Sequence, residues 1–162
     1  MLGSSAGGHV AAWTAIPEAV APERADEPVA RVRPAALVLL WPVTDTTAEG
    51  YGGPKRFGGD AARAEALSVI HRMPKQMPPT LVFHGTADTT VPYANSMSFA
   101  TTMRDNGNEC LFVPFEGGKH SLNSSSFGAS GREAHATIQK KVRAFLVDHG
   151  LIDRDPAVSR LP

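Results

Sequence analysis

The chain has 162 residues, 42% of them hydrophobic and 20% charged, which suits one globular domain with a core of its own and argues against a disordered or fibrous chain. Lysine plus arginine equals aspartate plus glutamate at 16 each, so no net field recruits nucleic acid or an anionic membrane surface. No apolar run approaches the roughly 18 residues of a membrane span, and the single cysteine, Cys110, excludes an intramolecular disulfide and any multi-cysteine metal site. Compartment is left undetermined by these properties.

In chain order, Gly3-Ser4-Ser5-Ala6-Gly7 fits G-x-S-x-G, a sharp strand-to-helix turn that presents a serine hydroxyl at the top of an α/β sheet. Only Met1 and Leu2 precede Gly3, so the strand leading into the turn is expected to be missing, with the earlier half of such a sheet. Gly7 to about Ala21 reads as the helix after the turn. Ala36-Leu37-Val38-Leu39-Leu40-Trp41, ended by Pro42, is a continuous apolar run of the kind buried on both faces of a parallel sheet. Residues 44–78, rich in Gly, Arg, Met and Pro, carry no strand period and read as a cap-like insertion or substrate-side loop.

Pro79 to Phe83 and Cys110 to Phe115 are two further apolar runs, which brings the expected parallel strands to about three. Between them Tyr93, Met97, Ala100 and Met103 mark one face of a helix stopped by Asn106-Gly107. Ala134, Ile138, Val142, Phe145 and Leu146 form a second amphipathic stripe, ended by Gly150, and the chain turns polar from Asp153 to Pro162. Strands alternating with helices imply an α/β fold, a three-layer α/β/α sheet truncated at its N-terminal side. The expected organisation is one partial domain over 1–152, with 44–78 inserted in it, and a polar tail over 153–162.

A serine hydroxyl is a weak nucleophile and needs a histidine to take its proton, with an acid behind the histidine to fix its tautomer. Both partners follow in the order Ser, Asp, His: Asp88 in His84-Gly85-Thr86-Ala87-Asp88, and His120 in Glu116-Gly117-Gly118-Lys119-His120, each just after an apolar run. The candidate catalytic residues are therefore Ser5, Asp88 and His120. The backbone N–H of Ala6 is the candidate oxyanion donor, at the positive end of the helix that follows the nucleophile.

Each has a plainer competitor. Ser5 competes with a small residue in a helix N-terminal turn, and Ser4 reads as structural. Asp45 also follows a strand, but Asp88 is preferred because its loop stands one connection before the histidine loop; Asp45 alternatively caps a turn. Among the other histidines, His9 reads as a packing or hydrogen-bonding residue of the first helix, and His84 as tying down the turn after its strand. His71, His135 and His149 lie away from these loops, and no paired-ligand spacing supports a metal.

The Gly3 to His9 segment, the Gly50-Tyr51 to Phe57-Gly58 stretch, Ser68-Val69-Ile70-His71, Pro78 to Asp88 and Glu116 to His120 together resemble the acetyl esterase/lipase group of α/β-hydrolases, near the hormone-sensitive-lipase-like and feruloyl or xylan acetyl esterase branches. The resemblance runs to about Leu151 and covers the C-terminal half of such an enzyme. It implies a Ser5, Asp88, His120 triad, hydrolysis of short acyl esters, including acetyl or feruloyl groups on carbohydrate, through an acyl-enzyme, and no cofactor. Members carry an upstream His-Gly-Gly-type loop that completes the oxyanion hole, and this sequence contains no such segment.

Two further readings compete with the ester hydrolase. One is a serine peptidase of the prolyl-oligopeptidase type, which shares the turn and the triad order. The other is a non-catalytic chain, either an inactive hydrolase fragment or an interaction module that uses a free apolar sheet edge at Ala36–Trp41 to pair with a partner or with a second copy.

Overall fold

The computed structural model describes residues 1–16, 33–51 and 56–153. Among the described residues four short strands form one sheet: β1 (Leu2–Ser4), β2 (Leu37–Leu40), β3 (Thr80–Gly85) and β4 (Cys110–Phe115), in that spatial order. All three pairings are parallel, with Gly3 opposite Leu39, Leu39 opposite Val82 and Val82 opposite Phe112. Parallel neighbours need a crossover, and helices supply it: α1 (Ala6–Trp13) between β1 and β2, α2 (Ala61–Ala66) and α3 (Val69–Arg72) between β2 and β3, and α4 (Ala94–Asp105) between β3 and β4.

The expectation of about three strands is corrected to four. Leu2 to Ser4 suffice for a strand because their ladder lies on β2, and the ammonium of Met1 adds a 2.8 Å hydrogen bond to the Ala36 carbonyl. The edge expected to be open at Ala36–Trp41 is therefore occupied, and the outer strand on this side is β1, with Met1 and Leu2 58% and 59% exposed. The helix expected to run to about Ala21 is shorter: α1 ends at Trp13 and Thr14 and Ala15 form a turn, while residues 17–21 and most of the polar tail lie outside the described ones.

β2 and β3 are buried at every residue, as their continuous apolar runs require. Side chains alternate across a strand, so Leu37, Leu39 and Val82 share one face. On that face they meet Ala11, Ala12, Ala15 and Ile16 of the α1 region, Val69 of α3, and Phe99 and Met103 of α4, with Met77 and the half-buried Cys110 and Phe112 completing the cluster. Burial pushes the Cys110 thiol up to about 12, so it is an inert apolar side chain at neutral pH. Within residues 44–78 the chain forms α2 and α3, and Val69 and Met77 belong to this core.

The chain divides into two units, Met1–Leu122, which contains the sheet, and Asn123–Pro162. In the second, Ser124 caps a short turn at Ser125–Phe127, and a long helix, α5 (Gly128–Asp148), follows. Among the described residues no helix is long and apolar enough to cross a membrane.

Phe99 is fully buried at the centre of the cluster. Phe99→Ala is expected to cost about 3–5 kcal/mol, the usual result of emptying a large aromatic site, read as a fall in the urea midpoint.

Candidate active site

Ser5, Trp41, Asp88 and His120 follow the carboxyl ends of β1, β2, β3 and β4 in turn. Because the four strands are parallel neighbours, these ends lie along one edge of the sheet, where open α/β sheets place their ligands.

Ser5 sits at φ 52°, ψ −124°, a conformation that costs a residue with a Cβ strain energy. The strain is held from both sides. Its N–H donates to the Leu40 carbonyl at 2.9 Å, and its own carbonyl accepts from Gly8, His9 and Val43. Gly3 allows the tight return of the chain, since a Cβ there would lie 2.3 Å from the Gly7 carbonyl oxygen. Serine at a helix start normally caps the helix with its hydroxyl, yet the Ser5 side chain makes no such bond. The hydroxyl is left uncommitted and partly exposed at the head of α1.

His9 fastens this turn to the loop after β2 by donating from Nδ1 to the Val43 carbonyl at 3.1 Å, and burial holds its pKa below the usual imidazole value.

The loops carrying Asp88 and His120 are fastened to each other. Thr86 N–H donates to the Phe115 carbonyl and Ala87 N–H to the Gly118 carbonyl, while the Thr86 hydroxyl accepts from Gly117 N–H at 2.9 Å and donates to Glu116. The approach is so close that a Cβ at Gly85 would lie 2.1 Å from the Gly118 carbonyl oxygen. The glycines of His84-Gly85 and Gly117-Gly118 thus bring two loops to backbone contact and set Asp88 beside His120.

Asp88 has a fully buried side chain, and His120 Nδ1 donates to its Oδ2 at 2.8 Å. Its Oδ1 accepts from the N–H groups of Thr90 at 2.8 Å and Val91 at 3.0 Å. A fourth group, His84 Nε2, stands 3.2 Å from Oδ2. With its Nδ1 proton directed at Asp88, a neutral His120 carries its lone pair on Nε2, the atom a general base must offer.

His120 is 22% exposed and packs edge-on against Trp41, ring centroids 6.1 Å apart. Trp41 has φ 39° and Ser121, next to His120, has φ 56°. Among the described residues Ser5, Trp41 and Ser121 are the non-glycine residues at positive φ, and all three belong to this edge of the sheet. Backbone strain of this kind concentrates where a site must be held in one shape.

Of the expected residues, Asp88 and His120 are brought together directly and Ser5 is placed on the same edge of the sheet. No hydrogen bond joins Ser5 to His120 among the described residues, and catalytic hydrogen bonds are often long before substrate binds. The N–H of Ala6, first residue of α1, points from the positive end of that helix. Asp45 is engaged elsewhere: its Oδ1 accepts from Thr47 N–H and hydroxyl and from Ser68, and its loop is anchored on Asn95. The Ser68 hydroxyl in turn meets Nδ1 of His71 at 2.8 Å.

The reading of His84 as tying down the turn after its strand fits its 3.0 Å hydrogen bond to the Val91 carbonyl; its nearness to Asp88 and the packing of Trp41 against His120 were missed. The signal available was the four-residue spacing from His84 to Asp88 across a strand end.

The sheet, its crossing helices and this edge define an α/β-hydrolase fold. The sequence profile of the prolyl oligopeptidase family matches residues 1–153, and the chain belongs to that family. Among solved structures it is similar to an esterase of the planctomycete Thermogutta terrifontis. One is the esterase phosphoramylated by tabun (34% identity, TM-score 0.77, 95% of this chain and 56% of that one); another is the native enzyme (31% identity, TM-score 0.77, 96% and 56%). A third, with butyrate bound, is 32% identical over 95% of this chain and 57% of that one, with TM-score 0.77. The chain thus spans little more than half the length of the esterase. No curated protein matches it significantly.

Gly85→Ala is expected to force the two loops apart, costing about 1–3 kcal/mol as an overpacked site does. The urea midpoint should fall, and the low-field Nδ1 proton of His120 should weaken in the same variant.

His84 is buried, and burial holds its pKa below the usual 6.5 despite bonds to Val91 and Asp88 that oppose the shift. An unfolded chain therefore takes up this proton first as pH falls. The stability conferred by the neutral imidazole is complete above about pH 6.5 and is lost progressively below it, toward the folded pKa. Urea midpoints measured from pH 7.5 to 5 should fall more steeply in the native sequence than in His84→Gln.

Proposed function

We propose that the chain is the triad-bearing part of a serine hydrolase of short-chain acyl esters, with Ser5 as nucleophile, His120 as general base and acid, and Asp88 as the acid that orients it. The observation that carries this reading is the uncapped Ser5 hydroxyl on a strained turn, on the same sheet edge as a histidine whose Nδ1 is bound to a buried carboxylate.

In the reaction, Ser5 Oγ attacks the ester carbonyl while His120 Nε2 takes its proton, and Asp88 stabilises the imidazolium. The carbonyl oxygen becomes an oxyanion that faces the Ala6 N–H at the helix start. Collapse of the tetrahedral adduct breaks the bond to the alcohol, which leaves with the proton from His120. A water then gives its proton to His120 and attacks the acyl-enzyme; the bond to Ser5 Oγ breaks, His120 returns the proton to that oxygen, and the acid departs.

Esterase relatives support the acyl class. The Thermogutta enzyme is described with propionate and with butyrate bound, and phosphorylated by paraoxon, a reagent that modifies it covalently. We extend to this chain a preference for acyl groups of that size. Acetyl and feruloyl esters of carbohydrate are the narrower substrates to test beside them. The match to the prolyl oligopeptidase family favours a second reading, a serine peptidase with the same three residues.

The purified chain is to be assayed against p-nitrophenyl acetate and butyrate and against a prolyl p-nitroanilide, with its oligomeric state recorded. Ester cleavage abolished in Ser5→Ala and reduced by about 10³-fold or more in His120→Gln is the expected outcome. Cleavage of the anilide in preference to the esters supports the peptidase. Inertness of a folded chain, together with no paraoxon adduct on Ser5 by mass spectrometry, overturns the hydrolase reading for this chain.

A further inference from the structure

Nε2 of His84 lies 3.0 Å from the Val91 carbonyl and 3.2 Å from Asp88 Oδ2, and both of these are acceptors. Nε2 must therefore carry a proton. The other ring nitrogen, Nδ1, lies 2.7 Å from the Ser96 hydroxyl, on the first turn of α4. Burial favours the neutral ring, so Nδ1 is the acceptor and the Ser96 hydroxyl the donor. Both side chains are fully buried.

Hydrogen-bond donation then converges on Asp88: Ser96 O–H donates to His84, His84 Nε2–H is shared between the Val91 carbonyl at 3.0 Å and Asp88 Oδ2 at 3.2 Å, and His120 Nδ1–H donates to the same oxygen. The two backbone N–H groups on Oδ1 fix one oxygen of the carboxylate but leave it free to tilt about that oxygen. A second donor on Oδ2, coming from β3, removes this freedom. Tyr93, from the start of α4, packs edge-on against the His84 ring at 5.8 Å and keeps the ring in its plane.

We propose that His84 is a positioning residue of the site: its Nε2–H, with its tautomer set by Ser96, holds Asp88 Oδ2 in line with Nδ1 of His120 and so fixes the tautomer of the base. The proposal rests on Asp88 and His120 being the acid and base, and it concerns a residue that touches neither substrate nor nucleophile. A histidine that only tied down the turn would need Val91 alone as its partner.

The test is nitrogen-15 spectroscopy of the imidazole rings in the full chain at neutral pH, which needs no turnover and so is independent of whether the chain cleaves esters. In the native sequence His84 is expected as the neutral Nε2–H tautomer and His120 as the Nδ1–H tautomer with a low-field proton. In His84→Phe, which keeps a ring of similar size without the donor, the tautomer ratio of His120 should shift by about fivefold to tenfold toward Nε2–H, the equivalent of one hydrogen bond, and its low-field proton should move upfield. His84→Gln, whose side-chain amide can still donate to Oδ2, should restore both signals. A native His84 protonated on Nδ1 alone overturns the proposal without any variant. So does an unchanged His120 in a folded His84→Phe chain, or a failure of Gln to restore what Phe removes. Should His84→Phe not fold, the native tautomers and the Gln variant decide.

Discussion

A carboxylate has lone pairs for about four donors, and at Asp88 four groups face them: two backbone N–H groups donate to one oxygen, His120 Nδ1–H donates to the other, and His84 Nε2, bonded to the Val91 carbonyl, stands 3.2 Å from that same oxygen. A buried carboxylate deprived of such partners is costly, so the surrounding loops have one arrangement that satisfies it. The turn from Thr90 to Val91, the end of β3 at His84 and the loop carrying His120 are all fixed by this one group. The orientation of the His120 ring follows, because it is decided where its Nδ1 proton is bound.

The sheet contributes by order rather than by any special residue. Parallel strands in the sequence β1-β2-β3-β4 deliver the residues after each strand to one edge in the same order. Ser5, Trp41, Asp88 and His120 arrive there from four separate segments. Close approach does the remaining work: glycines at positions 3 and 85 admit a neighbouring carbonyl where a methyl group would collide.

Much of this could be read beforehand. The runs at Ala36–Trp41, Pro79–Phe83 and Cys110–Phe115 announce strands because a buried parallel strand is apolar throughout, and Asn106-Gly107 announces the end of α4. β1 escaped because three residues carry no periodicity; what makes Leu2 to Ser4 a strand is the ladder with Val38 to Leu40, distant in sequence. Asp45 and Asp88 look alike from the sequence, each standing a few residues beyond a strand. The order of the segments favours Asp88, and the neighbour relation of β3 and β4 with the contact between their loops sets it beside His120. The link from Ser96 to His84 could not be seen either, since it joins a helix to a strand through side chains twelve positions apart.

Trp41 carries a further consequence. Glycine would adopt its backbone angle of φ 39° without strain, whereas the large indole does so at a cost. The ring is nonetheless buried there, against the histidine. A search for more heat-resistant versions of this chain would be drawn to such positions, because relieving strain raises stability directly. At Trp41 that gain would strip the wall from the imidazole, so thermal tolerance and the shape of this edge are opposed at a single residue, and the two are separable only by stabilising the fold elsewhere.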